Sequence, residues 1–269
     1  MKRLLLFVFF FAFISCVERV PITGRRQLSL VAEKDLIGMS QTEYAKFLQE
    51  HKTLDPNDPR DVLITRVGNK IKDAIVSYMT EHKMSERIAG YVWEFHGVEE
   101  DVVNAWCMPG GKVVVYTGLL PVTRDEAGLA IVMGHEIGHA IARHGNERMS
   151  QMLVAQGLGA GIAIAMSQKP AETRDLFLQT YNVGAGLSIL SYSRKQETEA
   201  DKLGLVFAAI AGYDPHEAVE FWKRMAALSK GEKPPELLST HPSDERRIKD
   251  IEKFLPQAMK YYKAGVIAK

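Results

Sequence analysis

The run His135-Glu136-Ile137-Gly138-His139 combines two imidazoles and a carboxylate at a spacing suited to metal-assisted hydrolysis. On an α-helix, residues four apart lie on one face, so His135 and His139 can share one cation. Glu136 falls beside them, where it can act on a water held by that cation. Such a set supplies a Lewis acid, a water of lowered pKa and a base to take its proton. Ile131, Val132, Ile137, Ala140 and Ile141 surround the motif and make its helix a buried one. Buried histidine and glutamate must find partners or shift their pKa values. A zinc site therefore explains the run better than two unrelated histidines on a charged helix face.

A hydrolytic zinc site with two helical histidines needs a third protein ligand and leaves its fourth position to water. The metzincin arrangement would put that ligand six residues after His139, but position 145 is glycine and His144 falls one residue early. The thermolysin-like alternative takes a glutamate from downstream. Glu197 and Asp201, in Ser193-Arg194-Lys195-Gln196-Glu197-Thr198-Glu199-Ala200-Asp201, are four apart and face one way. This makes Glu197 the ligand and Asp201 the acceptor for a ligand histidine N–H. Glu199 points elsewhere and is the next choice. Acids here also suit the positive end of a helix dipole, which accounts for their type but not for their spacing. Cys107 sits in Asn104-Ala105-Trp106-Cys107-Met108-Pro109, an apolar strand-like setting, and reads as a small buried hydrophobe rather than a nucleophile.

The elements that must hold these residues follow from periodicity. Helical spacing runs over about 33–50, and Asp55-Pro56-Asn57-Asp58-Pro59 caps a second helix through Val62, Ile64, Val67, Ile71 and Ile75. Strand-like runs come next at 91–95, 102–107 and 113–117, with Gly110-Gly111 as a hairpin turn between the last two. Beyond Thr123 the periodicity is helical, at about 125–145, 147–166, 172–190, 195–211 and 215–229. A short helix after Pro242 and another near the C-terminus complete the chain. A small β-sheet beside the His-Glu-x-x-His helix, within a mainly helical zincin-like domain, makes an α+β fold. The stretch 152–166 is rich in Gly and Ala but too short to span a bilayer; it reads as a buried helix, with partial dipping into the membrane as the alternative.

The 269-residue chain, 46% hydrophobic and 25% charged with a net charge of +1, can bury a core and gives no reason to expect nucleic acid. Lys2 and Arg3 precede an unbroken apolar run from Leu4 to Ile14, long enough for a signal peptide but not for a span. The run ends at Phe13-Ile14-Ser15-Cys16, which is similar to a bacterial lipoprotein box with Cys16 as the lipidated first residue. An ordinary signal peptide or an uncleaved short anchor is the alternative. Loss of Lys2 and Arg3 takes the net charge from +1 to −1, against both a polybasic membrane patch and an acidic-substrate funnel. With Cys16 lipidated, Cys107 has no partner, so no disulfide holds the fold. The expected division is a signal peptide at 1–15, an N-terminal lead and helix at 16–60 packing on the core, and a catalytic domain at 61–269.

His135-Glu136-x-x-His139 followed at a distance by Glu197-x-x-Ala200-Asp201 resembles the membrane-associated gluzincin metallopeptidases typified by HtpX, BepA, LoiP and the CAAX prenyl proteases. Further motifs are similar in order and spacing to the soluble, lipoprotein BepA/LoiP-like branch. They are Pro21-x-Thr23-Gly24-Arg25, Asn104-Ala105-x-x-x-Pro109-Gly110-Gly111, Tyr116-Thr117-Gly118-Leu119-Leu120, Ala142-Arg143-His144 and His241-Pro242-x-x-x-x-Arg247-Ile248. The resemblance covers about 20–253; neither a C-terminal tetratricopeptide array nor the spanning helices of the HtpX branch are expected.

It implies one Zn2+ per chain, bound by His135, His139 and Glu197, with Glu136 as general base. It also implies a strand edge at 113–116 or 104–111, where Asn104, Pro109, Gly110 and Val114 meet an unfolded or extended polypeptide that adds as a further strand. His241 is expected to reach the metal and block the water position; alternatively His241 and Arg247 stabilise the oxyanion, or both are structural. His144 is a supporting residue. Val17 after Cys16 points by resemblance to the outer membrane. The implied function is a lipid-anchored zinc endopeptidase on the periplasmic side of the bacterial envelope, degrading misfolded or misassembled envelope proteins. The alternatives are processing of a defined membrane substrate and a chaperone-like assembly factor with a self-blocked metal site.

Overall fold

The structure is a computed structural model that describes residues 17–155, 170–181, 192–228, 235–241 and 245–267. Strands β1 (Val17–Arg19) and β2 (Arg26–Leu28) pair antiparallel, followed by helices α1 (Glu33–Glu50) and α2 (Pro59–Glu81). Strands β3 (Glu94–Val98), β4 (Ala105–Met108) and β5 (Lys112–Tyr116) form a second sheet. Then come α3 (Leu120–Thr123), α4 (Glu126–Ala142), α5 (His144–Ala155), α6 (Pro170–Tyr181) and α7 (Arg194–Ile210). Helices α8 (Glu217–Leu228), α9 (Glu236–Thr240) and α10 (Glu245–Ile267) follow. Small sheets against a helical bundle make an α+β fold. Among the described residues, no helix is long and apolar enough to cross a membrane.

Helix α4 carries the His-Glu-x-x-His run and is the spine of the core. Asp125 starts it by accepting a hydrogen bond from Gly128 N at 2.9 Å, and every residue from Gly128 to Ala142 is buried. It stops at Arg143, whose φ of 60° is left-handed and costs a non-glycine residue about 1–2 kcal/mol. Arg143 Nη1 donates to both oxygens of Glu18, at 2.8 and 2.9 Å, and offsets that cost. The break expected at about 146, between helices over 125–145 and 147–166, therefore falls at Arg143, between α4 and α5.

Four small residues bring α4 and α7 together. A Cβ on Gly138 would lie 2.8 Å from the Ala200 carbonyl oxygen, and one on Gly204 would lie 2.7 Å from the backbone of Gly134. Gly134 and Gly138 are four apart on α4; Ala200 and Gly204 are four apart on α7. The two backbones thus touch along one stripe, which sets Glu197 and Asp201 opposite His135 and His139. A capping box fixes the start of α7: Gln196 N donates to Ser193 Oγ and Ser193 N to Gln196 Oε1. Ile64, Ile71 and Ile75 of α2, Met133 and Ile137 of α4, Phe207 of α7 and Trp222 of α8 fill the surrounding core.

The sheet order is β3-β5-β4, with β3 parallel and β4 antiparallel to β5. Gly110 and Gly111, at φ +85° and +81°, make the β4–β5 turn, and a Cβ on Gly111 would lie 2.6 Å from the Trp93 ring. The strand-like residues at 91–93 meet this turn, where Val92 N donates to Gly110 O at 3.0 Å, so β3 begins at Glu94. One expectation is corrected here. Val114 lies at the centre of β5, fully buried with neighbours on both sides, and cannot offer an edge to substrate. Among the described residues, the edge that remains near the site belongs to β4. The two short helices expected after Pro242 are one helix, α10, and α9 precedes it. Cys16 and most of the 152–166 stretch lie outside the described residues.

Candidate metal centre

His135, His139, Glu197 and His241 each turn one ligand atom toward a common point, and all four atoms lie within 4.8 Å of one another. His135 Nε2 is 3.1 Å from His139 Nε2 and 3.1 Å from His241 Nδ1. Glu197 Oε1 is 2.9 Å from His241 Nδ1 and 3.4 Å from His139 Nε2. A tetrahedron with metal–ligand bonds of about 2.1 Å has edges of about 3.4 Å, so these separations suit one small cation.

The proton arrangement makes the same point. His135 Nδ1 donates to Asp201 Oδ1 at 2.9 Å, which leaves Nε2 with a bare lone pair. His139 Nδ1 donates to His144 Nδ1 at 2.8 Å, and His144 Nε2 donates to Glu199 Oε2 at 3.0 Å, which leaves His139 Nε2 bare as well. Two lone pairs facing each other at 3.1 Å beside a carboxylate repel unless a cation lies between them. The donor set of imidazoles and one carboxylate is that of zinc.

Glu136 is buried next to this cluster. Its Oε1 has no hydrogen-bond partner among the described residues and lies 3.6 Å from His241 Nε2. Burial raises its pKa, against the pull of the neighbouring His241, so the carboxylate is a better proton acceptor than an exposed one. Burial also favours neutral Glu197, but the charges of His241 and Arg247 overcome it and hold Glu197 well below the usual carboxylate range. His139 is pushed well down by burial and stays neutral, as a ligand must. The Cys107 thiol is pushed well up by burial and by the Glu136 charge, consistent with an inert hydrophobe.

Of the two places expected for Arg247, at the oxyanion or in a structural ion pair, it takes the second. Its Nε and Nη2 donate to the two oxygens of Asp201 at 2.9 and 2.7 Å, and Nη1 lies 2.9 Å from Glu197 Oε2. The guanidinium stacks over Trp222, with its carbon 3.4 Å from the ring centroid. These donors are spent on the acids that position the histidines, so Arg247 is a brace and not an oxyanion donor. On the far side, Glu199 faces away from the cluster, as the helix spacing requires, and accepts from Thr23 Oγ1, His144 Nε2 and Arg25 Nε. Arg25 also binds both oxygens of Glu147 at 2.6 and 2.8 Å. Sequence reasoning left this relay unread, although Thr23, Arg25 and His144 all stand in the quoted motifs. Tyr192 stacks on His139 with centroids 3.9 Å apart, and nothing in its local sequence marks it for that place.

Strand β4 runs beside α4. Tyr116 N donates to Asn104 O at 3.1 Å, so alternate peptide groups at Val103, Ala105 and Cys107 face away from β5. Part of that edge is taken. Val103 O accepts from Leu237 N at 3.1 Å, and Asn104 uses its side chain twice, accepting from Ala105 N and donating to Glu236 Oε1. Asn104 thus sits on the edge, while Pro109 and Gly110 lie buried beyond its far end, in the approach to β5.

The model of peptidase family M48 matches residues 66–255. The chain belongs to that family, and it is a zinc metallopeptidase. Among curated proteins, it is 34% identical to the mitochondrial metalloendopeptidase OMA1 of Schizosaccharomyces pombe, over 90% of this chain and 67% of that protein. It is 31% identical to human OMA1 over 95% of this chain but only 49% of that protein. The β-barrel assembly-enhancing protease of Escherichia coli is 29% identical over 72% of this chain and 39% of its own length. The resemblance drawn from motifs therefore holds for the family and reaches BepA, while the OMA1 likeness, which the motifs did not suggest, spans more of the chain.

Proposed function

We propose that this zinc endopeptidase cuts unfolded or misassembled proteins of a bacterial envelope, held to the outer membrane on its periplasmic side by a lipid on Cys16. The observation that carries the proteolytic reading is Glu136 Oε1, buried and unpartnered beside the His135, His139 and Glu197 cluster. Zinc held by these three residues would polarise the attacking water and the scissile carbonyl. Glu136 takes the proton of that water and returns it to the leaving amine. Asp201 and Arg247 keep His135 in the tautomer that turns Nε2 inward.

The 235–241 segment closes this site twice. His241 fills the fourth corner, and Leu237 and Glu236 occupy the β4 edge at Val103 and Asn104. An extended substrate needs both places, so displacement of one segment opens both. The lipid anchor and the envelope location rest on the leader and on the likeness to the β-barrel assembly-enhancing proteases; the likeness to the mitochondrial OMA1 proteins supports the metalloendopeptidase activity and not the location. The closed segment also supports a second reading, an assembly factor that holds client strands while its metal is blocked.

Casein cleavage separates the two. His241→Ala is expected to raise the rate, and adding Glu136→Gln to that variant is expected to abolish it. If His241→Ala and Glu136→Gln proteins are equally inert, the peptidase reading falls and the binding role gains.

A further inference from the structure

Helices α7 and α10, with the segment carrying Thr23 and Arg25, border an open cleft of about 590 Å³ outside the metal centre. Six cations line it: Arg25, Arg194, Lys195, Lys202, Arg246 and Lys253. Against them stand two carboxylates of the lining, Glu199 and Asp250, and Glu147, which binds Arg25 from behind, for a net of +3 in a chain whose total is +1. Both lining carboxylates are already engaged. Glu199 accepts from Arg25 Nε at 2.7 Å and His144 Nε2 at 3.0 Å, and Asp250 lies 3.7 Å from Arg246 Nε.

Arg194, Lys195, Lys202 and Lys253 pair with no carboxylate among the described residues. Lys202 Nζ instead stands 5.5 Å from the centroid of the Phe254 ring in the wall. Cations spread over a convex surface are solvated one by one. Here two packed helices turn them into one concavity, where low-dielectric walls focus the positive potential. Such a field is stabilised by an anion that bridges several N–H donors at once, and phosphoryl oxygens are acceptors of that kind.

We propose that this cleft is a binding site for phosphate-bearing anions. Lipid headgroups and soluble phosphorylated compounds share that chemistry. The near-neutral net charge hides the site, because acids elsewhere on the chain balance it.

Calorimetry on the full, zinc-loaded chain tests it with inorganic pyrophosphate. Saturable one-to-one binding that weakens with added salt is expected. The Lys195→Glu/Lys253→Glu protein should bind at least about tenfold more weakly, the effect of losing one or two charge-assisted bonds. Reversal of the exposed Lys34 and Lys46 on α1 should leave affinity unchanged. Lys195→Gln/Lys253→Gln repeats the measurement should the reversed protein fail to fold. Flotation with phosphatidylcholine vesicles, with and without phosphatidylglycerol, then separates the sources. A wild-type excess over the double variant that appears only with phosphatidylglycerol assigns the site to headgroups, and pyrophosphate binding without that excess assigns it to soluble phosphates. Absence of both signals, or pyrophosphate affinity equal in wild type and both double variants, overturns the proposal.

Discussion

At the scale of single residues, the inward lone pairs of His135 and His139 are each fixed by an acceptor behind the ring. Asp201 holds His135 through Nδ1, and His144, backed by Glu199, holds His139 through Nδ1. Loss of such a supporting bond costs about 10–100-fold in metal affinity. Asp201→Asn is expected to weaken zinc binding by that factor in a chelator competition, because an amide neither carries the charge nor holds Arg247. Glu136 differs in kind, since it touches none of the four ligand atoms closely enough to set their geometry. Glu136→Gln should therefore keep full zinc content and lose at least about a hundredfold in kcat, the usual contribution of a general base. Zinc loss in parallel with activity would return Glu136 to a structural place.

At the scale of elements, the approach of α4 to α7 decides whether those residues meet. Gly138→Val would drive a branched side chain into the Ala200 carbonyl, 2.8 Å from where its Cβ must sit. Overpacking of this kind costs about 1–3 kcal/mol. Thermal unfolding should show that loss together with reduced zinc content, while Gly38→Ala, which meets nothing within 4 Å, should leave both unharmed. This contact was legible in principle as small residues four apart on both helices, yet residue types alone did not say which helices pair. Helix α1 ran over the predicted residues because its apolar stripe is one-sided, and the His135, His139 and Glu197 spacing carried its own chemistry. Val114 was misplaced because an apolar run suits a central strand and an edge strand alike, and only the β3-β5-β4 order tells them apart. Arg247 was left between two roles for a related reason: its spacing from His241 shows proximity to the site but not which acids consume its donors.

At the scale of the whole molecule, the metal ties together segments that the chain keeps far apart. His135 and His139 come from α4, Glu197 from α7, and His241 from the end of α9. The unfolded chain cannot gather these four, so a ligand of the folded site stabilises the fold by mass action. Free zinc at a hundred times its dissociation constant adds about 2.7 kcal/mol. For a chain of this size that corresponds to roughly 5–10 °C in Tm. Chelation should lower the Tm of the wild type by that amount, and readdition of zinc should restore it. His139→Ala should start from the lower Tm and show no response to chelator, since it has lost a ligand and its stacking on Tyr192. His241→Ala should keep most of the response, because three ligands on two tightly packed helices remain. If His241→Ala instead lost the whole response, His241 would be an obligatory ligand, and a segment that must leave for substrate to enter could not be the one that holds the metal.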